Sequence, residues 1–244
     1  PYAAWMRRYM HDYGTNKDAF AYLAMNSRSH ASRNPAAVMQ QPITLEDYHA
    51  SRQIWEPMQM LDMDVPVDCA EAWVITTAER ARDLPNKPVH IHAMSLGGTR
   101  CGEFYENSLP WTDNAFWVTL KGLWTRSELQ LADIDLFFPY DGYTIDGVGV
   151  TEAAGYCKPG ECGDFFKDNW DEARQVLHLN GKVEVMTHGG GIGMGRAGGA
   201  NYYSEAVRQM RGTEGARQLP QVPQAALIAI GSFFHDPSAV VLRS

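Results

Sequence analysis

Residues 186–200 read MTHGGGIGMGRAGGA, with seven glycines in fifteen positions. Glycine density of this kind constrains the fold more than any other stretch of the chain. It permits left-handed turns and a close approach of backbone to a ligand or to a packed element. The run follows a strand pattern, GKVEV, and precedes an amphipathic helical pattern around residues 203–211. Strand, glycine turn and helix in that order aim N–H groups at an anion or a developing oxyanion. A dinucleotide site is not indicated, because no acidic residue closes a βαβ unit at the expected distance and no Walker Lys-Ser/Thr follows. The structural alternative is a tight connection between packed layers. A functional loop is favoured, since a connection alone rarely needs so many glycines.

Around that turn, strands and helices alternate, which predicts an α/β layered fold. Residues 1–62 read as helical and loop-rich. Thr15 with Asp18 and Thr44 with Asp47 supply two capping-box-like starts. Residues 63–87 predict an approach loop, a buried strand at 72–77 and a helix from about 77 to 83. Residues 88–244 predict a strand in KPVHIHAMSL, a largely helical 114–129, a strand in DIDLFFPY and a helix over 146–156. The glycine turn and its helix follow, and two strands in QAALIAIGSFF and SAVVLRS close the chain as a hairpin.

The 244 residues carry a formal net charge of −8, which argues against a nucleic-acid binder. No run reaches the length of a membrane-spanning helix, and no signal peptide is visible. The four cysteines are too scattered for a disulfide framework, so a cytoplasmic setting with free thiols is expected. The first residue is Pro, which suggests a processed chain or a fragment.

Three groups of residues carry possible chemistry. Tyr140, Asp141 and Tyr143 crowd a glycine turn at a strand end, a common ligand position in α/β folds. A Tyr acts as general acid or base if its neighbours lower its pKa, and an Asp can orient it. An Asp-Gly turn flanked by half-buried aromatics is an equally good reading. His188 precedes the glycine turn and can line the same pocket. His90 and His92 share one strand face, but without a nearby third ligand they are better read as ordinary strand histidines. Cys157 and Cys162 lack the second pair a zinc site needs and are read as structural thiols, so no metal is expected. His235 falls in a terminal turn and is expected to be solvated.

Taken in order, four segments resemble the thiolase superfamily: PVDCAEAWVITTAERARDL, ADIDLFFPYDGYT, THGGGIGMGRAGG and EAVRQMRGTEGARQL. The resemblance implies a thiolase-like layered αβαβα fold, represented here by the C-terminal part of a subunit. Residues 1–62 would lie over the core, 63–87 would close a first core domain, and 88–244 would form the second. The half that bears the acyl-accepting Cys in thiolases is then expected to be absent from this sequence. The departures disfavour a thiolase reaction. Tyr140 stands where thiolases have Asn or His. Gly195-Arg196-Ala197 replaces their Gly-His-Pro, and Gly231-Ser232 stands where their C-terminal Cys would be.

The Tyr-Asp-Gly-aromatic motif with a Gly-Arg loop resembles instead the thiolase-like lipid-transfer proteins that act as steroid side-chain aldolases. That resemblance implies retro-aldol cleavage of a β-hydroxyacyl-CoA into a ketone and a short acyl-CoA. It implies no covalently bound cofactor, CoA entering only as part of the substrate. It implies a homodimer and a small OB-fold, zinc-ribbon partner of the DUF35 type. On this reading Tyr140, oriented by Asp141, is the base, with Tyr143 beside it. The backbone of the glycine loop, including Gly189, Gly190 and Gly191, holds the thioester oxygen. His188, Arg196, Tyr202 and Tyr203 complete the substrate side, and which Tyr lines the pocket stays open. The alternatives are a thiolase-type acyltransferase and a non-catalytic acyl-CoA or lipid-binding scaffold.

Overall fold

Leu136–Pro139 is apolar and buried at every position, the pattern of a central strand covered on both faces. The computed structural model describes residues 1–98, 110–231 and 236–244, so Cys101, Ser232 and His235 lie outside the described residues. In chain order the elements are α1 (Tyr2–Tyr13), α2 (Asp18–Ser32), α3 (Leu45–Ala50), β1 (Gln53–Trp55), β2 (Met58–Gln59), α4 (Ala78–Ala81), β3 (His90–Leu96) and α5 (Ala115–Trp124). They continue as β4 (Leu136–Pro139), α6 (Thr144–Ala154), α7 (Cys162–Asp168), β5 (Trp170–Asp171), β6 (Val176–Leu179), β7 (Val183–Val185), α8 (Ala200–Arg211), β8 (Ala225–Ile230) and β9 (Ser238–Arg243). Seven strands form one sheet in the order β3-β9-β8-β4-β7-β6-β5. β4 runs parallel to both β7 and β8, and the other neighbours are antiparallel. The apolar AALIAI and SAVVLR runs pair as the expected closing hairpin.

Helix α2 is the hub that brings distant segments to the site. It is buried almost all round and rich in small residues, so neighbours approach its backbone closely. Its buried Asn26 donates to the Val185 carbonyl at 2.9 Å and accepts from the Leu177 amide at 2.9 Å, tying β7 to β6. The glycine turn lies against the same helix. A Cβ on Gly193 would stand 2.6 Å from the Ser27 carbonyl, and one on Gly189, at φ 107°, 2.8 Å from the Ala31 Cβ. Part of the glycine density is therefore set by packing against α2.

Several expectations change. Residues 72–77 form no strand: they are exposed, with Val74 at 91% and Ile75 at 77% of full exposure, because no described strand offers them an edge. The helix after them shrinks to Ala78–Ala81. Thr15 does not cap α2, which starts at Asp18 with its amide donating to Asn16 Oδ1 at 2.9 Å. Thr44 and Asp47 do form a reciprocal capping box on α3. The helix within 114–129 ends at Trp124, and α8 starts at Ala200, straight after the left-handed Gly199. A bulge between Ile91 and Ala93 interrupts the alternation on β3, where His92 Nε2 accepts from the Glu128 and Leu129 amides at 3.2 and 3.4 Å.

Candidate active site

The site is built where β4 runs out. The Tyr140 amide makes the last bond of the strand, to the Ala229 carbonyl at 2.9 Å, and the chain then turns through Asp141–Gly142. A Cβ on Gly142 would stand 2.6 Å from the Tyr140 ring, so glycine lets that ring fold over the turn. Tyr143 follows as the N-cap residue of α6, and its ring stacks on Tyr2 of α1 at 3.8 Å between centroids.

Asp141 is wholly buried and grips the glycine turn from inside. Its Oδ1 accepts from the Gly191 amide at 2.7 Å and from the Tyr202 hydroxyl, and its Oδ2 from the Ile192 amide at 3.2 Å and Ser27 Oγ at 3.3 Å. Burial pushes its pKa up, and those four hydrogen bonds pull it back down. This arrangement corrects two sequence-based expectations. Asp141 engages Tyr202 and the loop rather than Tyr140. Most of the loop amides are also not free for a thioester oxygen: those of Gly191 and Ile192 face Asp141, while Gly189, Gly193, Met194 and Gly195 donate to carbonyls of Met186, Gly189 and Gly190. The internal carboxylate takes the place that an external anion would occupy at such a turn.

A second acidic residue, which sequence reasoning missed, is threaded between the two motifs. The Asp64 amide donates to the Gly142 carbonyl at 3.1 Å, and that of Val65 to the Gly191 carbonyl at 3.1 Å. Arg196 returns a bond from its amide to the Val65 carbonyl at 2.8 Å. These bonds set the Asp64 carboxylate 3.6 Å from the Arg196 guanidinium. Burial pushes Asp64 up to about 6, with Arg196 lowering it and Asp141 raising it. The only hint in the sequence was a pair of aspartates, Asp62 and Asp64, alternating with apolar residues in the approach LDMDVPV.

Tyr140 lies over this group, and its environment raises rather than lowers its pKa. Burial is the main cause, and the carboxyls of Asp146, Asp64 and Asp141 add to it. Asp146, in the first turn of α6, is fully buried and pushed well up by that burial, with the Tyr143 amide opposing. Of the two tyrosines after the glycine turn, Tyr202 is buried with its ring 6.4 Å from that of Tyr140, whereas Tyr203 turns away to meet Trp73 at 5.6 Å. His188 is buried behind Tyr202, ring to ring at 5.1 Å, and neither ring nitrogen has a partner among the described residues. Burial lowers it to about 4, so it is neutral at pH 7. Beneath it, Arg217 clasps the buried Glu205 with two hydrogen bonds of 3.0 and 2.9 Å.

Away from this cluster, Glu152, Cys157 and Cys162 each bring one potential ligand atom within 4.8 Å of the others. Both Glu152 oxygens are already committed: they accept from the Tyr9 hydroxyl at 2.5 Å, the Gly160 amide at 2.9 Å and the Trp111 indole at 2.6 Å. Burial also pushes the Cys162 thiol well up, away from the thiolate a metal requires. The group acts as a hydrogen-bonded knot at the C-terminal end of α6.

The family described as thiolase C-terminal domain-like matches residues 111–244. The chain belongs to this family. It is 36% identical over 216 residues to the steroid side-chain-cleaving aldolase of Thermomonospora curvata, covering 86% of this chain and 54% of that one. It is 36% identical over 214 residues to the 17-hydroxy-3-oxo-4-pregnene-20-carboxyl-CoA lyase of Mycobacterium tuberculosis, covering 85% and 53%. The solved structure of the Ltp2-ChsH2(DUF35) aldolase superposes with a TM-score of 0.83 at 31% identity, covering 99% of this chain and 62% of that one. The thiolase-like fold expected from the four segments is therefore the fold of this family member. The chain spans about half the length of the curated relatives it matches. Among the described residues no helix is long and apolar enough to cross a membrane.

Proposed function

We propose that the protein takes part in retro-aldol cleavage of a β-hydroxyacyl-CoA whose acyl chain is a sterol side chain or a related lipid. The observation that carries this reading is the cluster at the end of β4. It joins a phenol, a carboxylate and a guanidinium at Tyr140, Asp64 and Arg196, with no thiol among the described members of the cluster. The names of the relatives at 36% identity support the same chemistry.

Retro-aldol cleavage needs no covalent nucleophile. The β-hydroxyl loses its proton, its C–O bond becomes a carbonyl and the Cα–Cβ bond breaks. The bonding pair passes to the thioester as an enolate, which takes a proton at Cα and leaves as the short acyl-CoA. The step calls for a base at the hydroxyl, a positive or donating group at the enolate oxygen and an acid at Cα. Arg196, which is half-exposed, supplies positive charge at the rim. A phenol with a raised pKa keeps its proton until a strong base develops, so Tyr140 suits the acid role better than the base role. The subunit is proposed to act as a homodimer with a small OB-fold, zinc-ribbon protein; the DUF35 component of the Ltp2-ChsH2(DUF35) aldolase supports the partner.

The test uses the longest natural reading frame containing this sequence, co-expressed with that partner. A β-hydroxyacyl-CoA bearing a tertiary alcohol is the substrate, and ketone and short acyl-CoA are followed by mass spectrometry. Both products should appear, and Tyr140→Phe should lower the rate about 100-fold or more. A folded, CoA-ester-binding complex that releases neither product would refute the reading.

A further inference from the structure

We propose that Asp64, held between the Tyr140–Tyr143 turn and the glycine loop, is the group that accepts the β-hydroxyl proton. The inference rests on the retro-aldol reading and deepens it by replacing the base that the motif alone suggests.

Four aspartates gather around the end of β4, and three of them are already occupied or sealed. Asp62 is fully buried and accepts from the hydroxyls of Tyr48 and Thr144 at 2.6 Å each, and from the Gln59 amide at 2.7 Å. Asp141 is fully buried and holds four donors of the loop, α2 and α8. Asp146 is fully buried inside the first turn of α6, where its un-ionised form is favoured. Asp64 alone is neither sealed nor occupied: its side chain keeps 8% of its exposure, where the other three residues keep none, and among the described residues no donor reaches its carboxylate within hydrogen-bond distance. Its one charged partner is Arg196, at 3.6 Å and itself half-exposed. A carboxylate with unfilled lone pairs and a half-exposed guanidinium beside it is equipped to take a proton from a bound hydroxyl.

Position supports the assignment as well. The bond from its own amide to Gly142 and that from the next residue, Val65, to Gly191 hold Asp64 between the Tyr-Asp-Gly turn and the glycine loop. A substrate lying over Tyr140 and along the glycine turn therefore passes this carboxylate. Its ionisation fits the task too. The groups facing it are Arg196 from the loop, Asp141 and Tyr140 from the turn, and Tyr143 and Asp146 at the start of α6. Burial and Asp141 raise its pKa to about 6 against the pull of Arg196. Asp64 is then mostly ionised at pH 7 yet basic enough for efficient transfer. Tyr140, whose phenol is raised by the same carboxyls, is left to return a proton to Cα. One group removes and the other supplies, so the proton count closes without a co-reactant.

The experiment measures cleavage as a function of pH with the same full-length complex and substrate. Wild type should show an acid limb near pH 6. Asp64→Asn, which keeps the shape and breaks no hydrogen bond among the described residues, should lose about 100-fold or more in kcat with KM little changed. Arg196→Gln removes the group that lowers the Asp64 pKa, so its acid limb should move to higher pH by about half a unit or more. Far-UV circular dichroism and binding of the CoA ester establish that each variant is folded. If wild type cleaves while Asp64→Asn keeps its rate and acid limb, Asp64 is not the base and the retro-aldol reading stands. An unmoved limb in Arg196→Gln would equally count against Asp64. If wild type itself does not cleave, the retro-aldol reading falls and the inference falls with it.

Discussion

Replacing Asp141 by Asn tests whether an internal carboxylate organises the site. The substitution preserves shape but turns one acceptor oxygen into an NH2 donor. Each oxygen of Asp141 faces one backbone amide, Gly191 at 2.7 Å and Ile192 at 3.2 Å. Whichever way the Asn amide turns, one of those N–H groups meets a donor and is orphaned. An orphaned buried N–H costs about 1–3 kcal/mol, and the surviving bonds lose their charge assistance, about 1 kcal/mol more. Removing a buried charge offsets part of this, so the net loss should be about 2–3 kcal/mol. For a chain of this size that lowers Tm by roughly 5–10 °C. Urea titration gives the free energy, and amide exchange at Gly191 and Ile192 locates it. A loss below about 1 kcal/mol with unchanged protection at those amides would show that the loop holds its own shape. Gly190→Ala probes the same contact from the other side. At φ 60° its Cβ would stand 2.1 Å from Asp141 Oδ2, so the change should cost at least as much as the Asn variant.

Two further perturbations address the support beneath the site. Arg217→Met leaves the buried Glu205 carboxylate without its two-pronged partner and should cost about 3–5 kcal/mol in urea unfolding; a loss under 1 kcal/mol would mean Glu205 accepts a proton at no cost. His188 is held neutral, its pKa lowered to about 4 by burial, so its contribution is intact above the unfolded value near 6.5 and is lost as pH falls toward 4. Wild type should therefore lose up to about 1.4 kcal/mol per pH unit in that window from this group, and His188→Phe should flatten the fall. Some slope should persist, because His30 is lowered to about 3 by burial and acts in the same direction. An unchanged slope in His188→Phe would place the acid sensitivity elsewhere.

The parts of this molecule that were legible in its sequence are those fixed by local pattern. LFFP reads as a buried strand because all four residues are apolar, and it is one. Thr44 and Asp47 read as a cap because the reciprocal bonds span only three residues, and they form it. AWVITT also reads as a buried strand, yet it lies exposed: a strand is completed by an edge supplied elsewhere, and no described residue supplies one. At the site the limit has the same origin. The glycine run and the Tyr-Asp-Gly turn stand out by composition, but not what they bind. Asp141 looks like a partner for its neighbour Tyr140, whereas its donors come from α2, the glycine turn and α8. Asp64 carries no motif at all, since its place depends on backbone bonds to Gly142 and Gly191, far along the chain.

That dependence makes Asp64 a property of the arm that carries it. Residues 63–73 run as an extended strap fixed at two places. Near Asp64 it is sewn between the β4 turn and the glycine loop, with bridges from Met63 to Tyr143 and from Pro66 to Arg196. Further on it is tied to α8, where Ser204 Oγ donates to Glu71 at 2.5 Å and accepts from the Trp73 indole at 3.1 Å. Helix α8 also carries Tyr202, which donates to Asp141, so strap and loop are fastened to one rigid element. A shift of α8 would move the acid cluster and the glycine turn together, whereas loss of the Glu71–Ser204–Trp73 tie would free the strap alone. The geometry between Asp64 and Tyr140 is therefore set by two separate attachments to the same helix. This explains how a residue in a segment of little regular structure can hold a fixed place beside the end of a buried strand.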